Sequence, residues 1–593
     1  MYILGIYEGH NSTAALLKDG KIIGCVSEER FSGKKNNIGF PHKSIKYLLE
    51  QEKIKGKDLD MVVTPGIWGV PVFVESEVRK DKYLRIATIL YAPYLFVRKI
   101  TNFLEYYFPP IHFLQRFLYD FAFKTVGNKT TKKQKKFIAG YFGIEENKVE
   151  AFEHHMAHGA VAYYGSPYIG QDALVLTIDG EGDLLSATVN VVKNGQWQRL
   201  AETSSDSSLG WIYMEVTGYL GMKMNEHEYK VMGLAPYAKE YGVKPVYDLI
   251  KDIIKLDSQN PLRFKSKFDT HLTGYFLRKK MAGKRFDYIA GAFQKLVEDR
   301  ITEWVTNAIK KTGIKTLCMG GGVVMNVKAN LKISELPEVE KFFPCPSSGD
   351  ESTPIGACYL GYLEFCKKNK MKPAINSLKN LYLGPFFTNK EIIEFLKKGK
   401  YDKKYKVEYI EDIEKKIAKL LSENKIVARI AGKMEWGARA LGNRSILANP
   451  SNLDNVRVIN EQMKMRDFWM PFTPSILKER MKDYVINPKD IPSSYMVITF
   501  HSTFLAQKHL RAAMHPYDFT VRPQSVDKSW NPRYHKLLSE FEKLTGIGGV
   551  LNTSFNLHGL PVVMGPKEAM HAFENSGLKF LAMENYLVSK IHE

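Results

Sequence analysis

The side chains best suited to hold a metal lie in the segment Glu-His-His-Met-Ala-His at residues 153–158. The Ala-rich run that follows predicts a helix, which places His154 and His158 on one face. Two neutral imidazoles on one face make half of a transition-metal site. Zinc proteases share this spacing, but their general base is a glutamate after the first histidine, and here that residue is His155. Taken alone, the pair fits a metal site and two structural histidines equally well.

Acidic residues follow two predicted strands that could complete such a site. Residues 173–178 are β-rich and lead directly into the acidic, glycine-rich stretch 179–183. Carboxylates at this point lie at the carboxyl edge of a sheet, where open α/β sheets bind ligands. Asp350 also ends a short apolar run and precedes a predicted helix, which suits a third ligand beside the two histidines.

A glycine turn offers a second kind of chemistry. Residues 315–319 read as a strand, followed by Gly320, Gly321 and Gly322 and then by a helix that contains Asn326. Glycines let a phosphate approach the backbone, and a helix N-terminus favours negative charge, so the turn predicts an anion cradle. A tight packing turn is the alternative.

The elements that position these residues recur along the chain. Residues 3–7 form a strand, residues 8–12 a polar turn, and residues 22–27 part of a returning hairpin. Sugar kinases and their actin-like relatives begin in this way. Together with the later units of strand, acidic turn and helix, the pattern predicts a duplicated, actin-like α/β architecture.

Basic residues interleaved with glycine, asparagine and serine mark the C-terminal part. Arginine offers two parallel N–H groups to phosphate or carboxylate oxygens, so these motifs predict an anion pocket, although scattered arginines also form surface ion pairs. The residues concerned are Arg439, Arg444, Lys464, Arg466, Arg522, Asn552 and Ser554.

Length and charge bound the class of protein. A chain of 593 residues is too long for one core, so we expect two or three domains. With 85 basic and 64 acidic residues the net charge is +21, which favours an anionic partner such as nucleic acid, an acidic surface or phosphate-bearing small molecules. Part of the surplus lies in residues 79–136, a run that is more typical of a solvated face.

Cysteine use and apolar runs indicate the compartment. Five cysteines without a Cys-x-x-Cys pair predict free thiols and a cytoplasmic protein. The N-terminus reads as a strand and not as a signal peptide. The apolar run 86–97 is too short to span a bilayer. The aromatic and basic residues 83–123 suit peripheral contact with a membrane surface or a cover over an active site.

In their order along the chain, these motifs resemble those of the NodU/CmcH family of O-carbamoyltransferases. The similarity covers almost the whole length, and so many motifs in one order exceed what chance would produce. The matching segments are residues 9–16, 154–158, 179–183, 228–237, 320–326, 349–350, 434–445 and 551–556.

The resemblance implies an α/β protein with two parts. Residues 1–368 would form an actin-like domain similar to tRNA threonylcarbamoyl-transfer enzymes, with a basic aromatic insertion at about residues 66–141. A polar linker at residues 366–377 would lead to a YrdC-like α/β domain at residues 378–593. In the family, the second domain converts carbamoyl phosphate and ATP into carbamoyl-adenylate, and the first transfers the carbamoyl group to a hydroxyl.

The resemblance also implies roles for individual residues. The family metal, most often iron, would be held by His154, His158 and Asp350, so Fe(II) or another divalent transition metal is expected, with Mg²⁺ accompanying ATP. His10 and Asp183 are candidate general bases, with positioning of the substrate as the alternative role, and Lys230 is either a phosphate contact or a surface lysine. Nucleotide phosphates would lie on Gly320, Gly321, Gly322 and Asn326. Carbamoyl phosphate and ATP would meet Arg439, Arg444, Lys464, Arg466 and Arg522, with Asn552 and Ser554 on the carbamoyl group.

The expected partners are carbamoyl phosphate, ATP and a small hydroxyl-bearing acceptor such as a sugar-containing natural product, without nucleic acid; a homodimer is compatible. A competing hypothesis is a tRNA-modifying or RNA-binding protein, which the charge of +21 and the kinship of both domains support. A catalytically weakened scaffold is a third, because Leu560, Ser352 and residues 515–518 depart from the family pattern.

Overall fold

The computed structural model describes residues 1–68 and 111–590, and the chain divides into two compact units. The first unit comprises residues 1–28 and 36–378. The second comprises residues 379–593 together with residues 29–35, which contain the short helix α1 (Glu29–Ser32). Most of the predicted insertion, residues 69–110, lies outside the described residues.

Two mixed sheets with the same topology frame the first unit. One has the order β3-β2-β1-β4-β5, formed by β1 (Tyr2–Tyr7), β2 (Thr13–Lys18), β3 (Lys21–Ser27), β4 (Met61–Pro65) and β5 (Val149–Phe152). The other has the order β12-β11-β6-β7-β8, formed by β6 (Ala173–Gly182), β7 (Leu185–Lys193), β8 (Gln196–Ser204), β11 (Thr316–Gly320) and β12 (Lys341–Pro344). A separate ribbon pairs β9 (Ile254–Leu256) with β10 (Phe264–Ser266).

The pairing within these two sheets is the same strand for strand. In each, the first three strands form an antiparallel meander, and the last two run parallel to the first. The structure is therefore a mixed α/β fold with an internal repeat, and it confirms the duplication predicted from the repeated units.

The helices of the first unit include one after the last strand of each sheet. They are α2 (His42–Glu52), α3 (Ile111–Phe142), α4 (His154–Tyr164), α5 (Leu209–Tyr219), α6 (Glu228–Leu234), α7 (Glu240–Ile250), α8 (Thr273–Lys280), α9 (Phe286–Thr312), α10 (Val327–Glu335) and α11 (Thr353–Lys368). Helix α4 follows β5, and α11 follows β12 after the 3-10 turn Asp350–Ser352. Among the described residues, none of the helices is long and apolar enough to cross a bilayer.

The equivalent helices α4 and α11 pack against each other at very short range. A Cβ atom on Gly356 would overlap the carbonyl oxygen of Ala157, so only glycine fits there. Helix α4 begins at Glu153, whose carboxylate accepts hydrogen bonds from the backbone N–H groups of His155 and Met156. This cap fixes the start of the helix that carries the histidines.

One eight-stranded mixed sheet organises the second unit. Its order is β13-β22-β21-β14-β15-β20-β16-β19, with β13 (Lys406–Tyr409), β14 (Val427–Ile430), β15 (Arg444–Ala448), β16 (Thr473–Leu477), β19 (Gln524–Val526), β20 (Gly549–Ser554), β21 (Phe580–Met583) and β22 (Tyr586–Ser589). A ribbon pairs β17 (Val485–Ile486) with β18 (His501–Ser502). The helices are α12 (Asn389–Lys398), α13 (Tyr401–Lys404), α14 (Ile413–Ser422), α15 (Asp454–Ile459), α16 (Met481–Tyr484), α17 (Phe504–His509), α18 (Pro532–Thr545) and α19 (Pro566–Glu574).

Candidate active site

Four buried side chains of the first unit bring their donor atoms together. His154 and His158 extend from α4, Asp179 lies in β6, and Asp350 opens the turn before α11. Their donor atoms all lie within 4.8 Å of one another, and the two Nε2 atoms are 3.0 Å apart. Within the described residues, this is the one group of three or more His, Cys, Asp or Glu side chains so arranged.

Each aspartate turns one oxygen toward both imidazoles. Asp179 Oδ2 lies 3.2 Å from His154 Nε2 and 3.3 Å from His158 Nε2. Asp350 Oδ1 lies 3.5 Å and 3.4 Å from the same two nitrogens. Two nitrogens and two carboxylate oxygens converging in a buried place are a donor set that divalent transition metals accept. The residues present therefore fit a metal ion.

The two carboxylates of this group need a compensating positive charge. Burial by itself would lower the pKa of His154, but Asp350 and Asp179 outweigh it and raise that pKa to about 10. The pKa of Asp179 is held well below its usual range, because the hydrogen bonds from His154 and His158 outweigh the effect of burial. Two protons on the imidazoles or one divalent ion would supply the positive charge that the carboxylates need.

His155 has a different environment from its two neighbours. Its Nδ1 lies 2.8 Å from Thr177 Oγ1, and its Nε2 lies 3.1 Å from the Leu185 carbonyl oxygen. Burial lowers its pKa to about 4. The ring is thus a neutral part of the packing between α4 and the second sheet.

His10 lies at the rim of the four-residue group. The turn between β1 and β2 carries it, its side chain is 40% exposed, and its Nδ1 is 3.6 Å from Asp350 Oδ2. Asp183, the other predicted base, accepts hydrogen bonds from the backbone N–H groups of Ile67, Trp68 and His154 at 3.0, 3.2 and 2.8 Å. Asp183 therefore anchors the start of α4.

In the second unit, basic side chains affect the pKa values of two of their neighbours. Burial, followed by the charges of Arg439 and Arg466, lowers the pKa of Arg522 well below its usual range. Burial and the charge of Arg466 likewise lower the pKa of Lys464 well below its usual range. Such a concentration of positive charge is typical of an anion site.

Lys464 is held in place by its amino group. The group lies 3.2 Å from Ser554 Oγ, 2.6 Å from Asn556 Oδ1 and 3.2 Å from the Asn556 carbonyl oxygen, and the side chain is 2% exposed. These acceptors hold the Lys464 amino group at the end of β20. The structure thereby brings together Ser554 and Lys464, two residues of the predicted anion pocket.

Family models match both parts of the chain. The model described as Carbamoyltransferase N-terminus matches residues 2–359, and Carbamoyltransferase C-terminus matches residues 418–590. The chain belongs to the carbamoyltransferase family. An uncharacterized protein of Synechocystis sp. is 31% identical over 629 residues, covering 99% of this chain and 97% of that protein. Nodulation protein NolNO of Sinorhizobium fredii is 26% identical over 599 residues, covering 98% and 79%.

Solved structures show weaker similarity. HypF of T. kodakarensis is 13% identical with a TM-score of 0.34, over 61% of this chain and 48% of that one. Component A of the (R)-2-hydroxyglutaryl-CoA dehydratase of Acidaminococcus fermentans is 15% identical with a TM-score of 0.32, over 61% and 98%. At these scores the α/β assignment rests on the sheets themselves.

The glycine turn of this carbamoyltransferase lies against the four-residue group. The Gly322 N–H donates to Asp179 Oδ1 at 2.9 Å, and Gly321 has a φ of 98°, where a Cβ atom would overlap the Ile178 carbonyl. Asn326 caps α10 by accepting from Ala329 N–H at 3.0 Å. The turn thus has the packing role named as the alternative, and its contact with phosphate stays a prediction.

Three other residues that were predicted to contact substrates are Arg444, Asn552 and Lys230. The buried Arg444 donates to the carbonyl oxygens of Met564, Asn443 and Pro385 at 2.8, 2.9 and 2.9 Å. Asn552 is 1% exposed and donates to the Ala440 carbonyl at 3.1 Å. Lys230 is partly buried on α6. Their contacts with substrates stay predictions.

Sequence reasoning missed Asp179 as a donor and Tyr7 as its counterpart on β1. Tyr7 donates a hydrogen bond to Asp350 Oδ2. Both residues lie near the end of the first strand of their sheet. The repeat itself was the available signal, because equivalent strand ends in two halves meet at one site.

Proposed function

We propose that this carbamoyltransferase is an ATP-dependent O-carbamoyltransferase with an actin-like first unit and a YrdC-like second unit. The observation that carries the proposal is the group of two imidazole nitrogens and two carboxylate oxygens with the exposed His10 beside it. The basic side chains Arg439, Lys464, Arg466 and Arg522 of the second unit would bind the anionic substrates. The family supports carbamoyl transfer as the reaction.

In the second unit, carbamoyl phosphate would be cleaved and its carbamoyl group activated. Arg439, Arg466 and Arg522 would neutralise phosphate oxygens, and Lys464 would stabilise the same negative charge. Water releases inorganic phosphate and carbamate; a carbamate oxygen then attacks the α-phosphorus of ATP, and pyrophosphate leaves. Mg²⁺ would accompany the ATP phosphates. The product, carbamoyl-adenylate, has AMP as a good leaving group.

In the first unit, the carbamoyl group would pass to a hydroxyl of the acceptor. The hydroxyl oxygen attacks the carbonyl carbon, its proton moves to His10, and AMP leaves with the electron pair of the broken bond. His10 suits this task better than Asp183, because His10 is exposed and the oxygens of Asp183 already accept three backbone N–H groups. A sugar-containing or natural-product hydroxyl is the acceptor class we propose.

The metal would be held by His154, His158, Asp179 and Asp350. Their nitrogen and oxygen atoms suit Fe(II) or a related divalent ion. When bound, the ion would act as a Lewis acid that stabilises the negative charge developing on the carbamoyl oxygen. His154 and His158 would have to be neutral to bind it, so metal uptake should release protons.

The variant His154→Ala tests the division into two reactions. It removes one metal donor of the first unit and leaves these basic side chains of the second unit unchanged, so we expect carbamoyl transfer to fall by at least ~10²-fold. Pyrophosphate release from ATP and carbamoyl phosphate should keep its wild-type rate. Mass spectrometry of a panel of glycosides measures transfer. The excess of phosphate detected with pyrophosphatase over that detected without it measures activation, because cleavage of carbamoyl phosphate also releases phosphate.

The reciprocal variant is Arg466→Ala, which should lose pyrophosphate release. His42→Ala, an exposed histidine on α2, is the matched control and should leave both steps intact. Equal loss of both steps in His154→Ala would contradict the two-site division. Absence of any carbamoylated product with the wild-type protein, across sugar and nucleoside acceptors, would count against the proposed acceptor class.

A further inference from the structure

The phenol of Tyr7 contacts a predicted metal donor. Tyr7 is the last residue of β1, and its hydroxyl donates a hydrogen bond to Asp350 Oδ2. The ring is held against the backbone of Gly9, because a Cβ atom on Gly9 would overlap the Tyr7 hydroxyl. The turn that carries His10 therefore also fixes the direction of this phenol.

The hydrogen bond makes the two oxygens of Asp350 unequal. Oδ2 accepts from Tyr7 and lies 3.6 Å from His10 Nδ1. Oδ1 faces the His154 and His158 Nε2 atoms at 3.5 and 3.4 Å. Rotation of the carboxylate would break the bond to the phenol, so the bond selects Oδ1 as the atom offered to the metal.

Asp179 is oriented in the same way by a different group. Its Oδ1 accepts from the Gly322 N–H, and its Oδ2 faces the two imidazoles. Each aspartate thus has one oxygen occupied by a donor outside the group and one oxygen directed into it. For Asp179 the donor is backbone, but for Asp350 it is a side chain that a substitution can remove.

We propose that Tyr7 is a positioning residue that fixes Asp350 as a one-oxygen donor in the metal site. This inference rests on the metal role given to the four-residue group. Tyr7 acts through Asp350 and touches no reacting atom in this role. Groups that orient a metal donor by hydrogen bonding typically contribute 10- to 100-fold to metal affinity, so a loss of about that size is expected without the phenol oxygen.

Co²⁺ binding to the full chain tests the proposal without requiring activity. The protein is freed of metal by dialysis against a chelator and titrated with Co²⁺, and the visible absorption and the heat of binding are recorded. Tyr7→Phe removes one oxygen and keeps the ring. We expect Co²⁺ affinity to fall about 10- to 100-fold, and the visible band to weaken and shift because Asp350 can bind through both oxygens or rotate away.

Two further variants show whether the change in Co²⁺ binding is specific to the Tyr7 phenol. Gly9→Ala should reproduce the change by displacing the phenol. Tyr163→Phe is the matched control, because Tyr163 is another buried tyrosine, whose hydroxyl pairs with the Gln171 carbonyl and the Gly170 N–H at 3.0 Å each. Its affinity and spectrum should equal those of the wild-type protein. Circular dichroism confirms that each variant is folded.

The outcomes separate this inference from the function on which it rests. A Tyr7→Phe protein with wild-type Co²⁺ affinity and spectrum would overturn the role of Tyr7 and leave the metal site standing. Equal losses in Tyr7→Phe and Tyr163→Phe would also overturn it, since the effect would then be general to buried tyrosines. A wild-type protein that binds no Co²⁺, like His154→Ala, would overturn the metal site and the role of Tyr7 together.

Discussion

Histidines in the first unit acquire opposite properties from the atoms around them. His154 faces carboxylates, which outweigh the effect of burial and raise its pKa to about 10. His155, one residue later, faces a hydroxyl and a carbonyl, and burial lowers its pKa to about 4. At the scale of the residue, the groups that surround an imidazole, and not the residue type, therefore decide whether the ring is protonated near neutral pH.

A further histidine of the first unit, His271, lies between the carboxylates of Asp269 and Glu181. Its Nδ1 is 2.7 Å from Asp269 Oδ1, its Nε2 is 3.3 Å from Glu181 Oε2, and Trp211 packs on its ring at 4.1 Å between centroids. Burial alone would lower its pKa, but Asp269 and then Glu181 raise it to about 9. Glu215, a further carboxylate near this ring, interacts with its charge.

This clamp predicts a loss of stability at alkaline pH. Because the folded pKa of His271 lies above the ordinary 6.5, its contribution is fully present below pH 6.5 and is lost as the pH rises through about 9. The whole contribution is at most about 3 kcal/mol. Urea unfolding at pH 6, 7.5 and 9.5 should show the wild-type protein converging on His271→Gln as the pH rises.

The control for this prediction is His571→Gln, which changes an exposed histidine of α19. Its unfolding free energy should follow that of the wild-type protein at each pH. A constant difference between wild type and His271→Gln from pH 6 to 9.5 would show that the clamp does not hold a proton.

At the scale of the element, the close approach of α4 and α11 positions the donors. The two helices follow equivalent strands and carry the histidines and the turn of Asp350, respectively. Gly356→Ala would place a methyl group on the Ala157 carbonyl, so we expect a loss of about 1–3 kcal/mol in unfolding free energy and weaker metal binding. Thermal unfolding with and without Co²⁺ measures both.

Gly140→Ala is the matched control for the helix variant. Gly140 lies in α3, is exposed, and has no atom within 4 Å of the position of its absent Cβ. Alanine is favoured over glycine in a helix, so this variant should be neutral or more stable by up to about 1 kcal/mol. A destabilisation equal to that of Gly356→Ala would show that helix packing is not the cause.

Local sequence patterns predict individual strands, but they do not predict how those strands are arranged in a sheet. The buried runs at residues 3–7, 173–178 and 315–319 predicted strands, and each lies in the structure as β1, β6 or β11. The order of the eight strands in the second unit follows from long-range pairing that no local pattern contains. For the same reason Asp179 was recognised as an acidic residue after a strand but not as a partner of His158.

Polar residues of the predicted anion-binding motifs also show what a sequence pattern does not contain. Arg444 and Asn552 lie in motifs that predict anion binding, yet both are buried and donate to backbone carbonyls. A sequence shows that a polar residue lies among glycines and asparagines, but not whether its donors are already used inside the fold. The charge of Arg466, by contrast, helps to lower the pKa of Arg522, and the binding of an anion by these two residues stays a prediction.

At the scale of the whole molecule, the charge of +21 separates two hypotheses. If the excess serves anionic small molecules, the protein should bind RNA no more tightly than about 10⁻⁶ M at physiological salt. Fluorescence anisotropy with a labelled tRNA across salt concentrations measures this. Tighter binding with a steep salt slope, weakened by Arg522→Ala, would favour the tRNA-modifying alternative.

The second unit contains residues from both ends of the chain, since residues 29–35 join residues 379–593. Within it, Arg30 donates to the Gly437 carbonyl at 3.1 Å. A ribosome adds roughly 5–20 residues per second. Residues 29–35 therefore emerge on the order of a minute before the synthesis of residues 379–593 is finished. This segment can take its folded position only after the rest of the second unit has been synthesised. A nascent chain arrested before residue 379 would carry this segment without a place to fold.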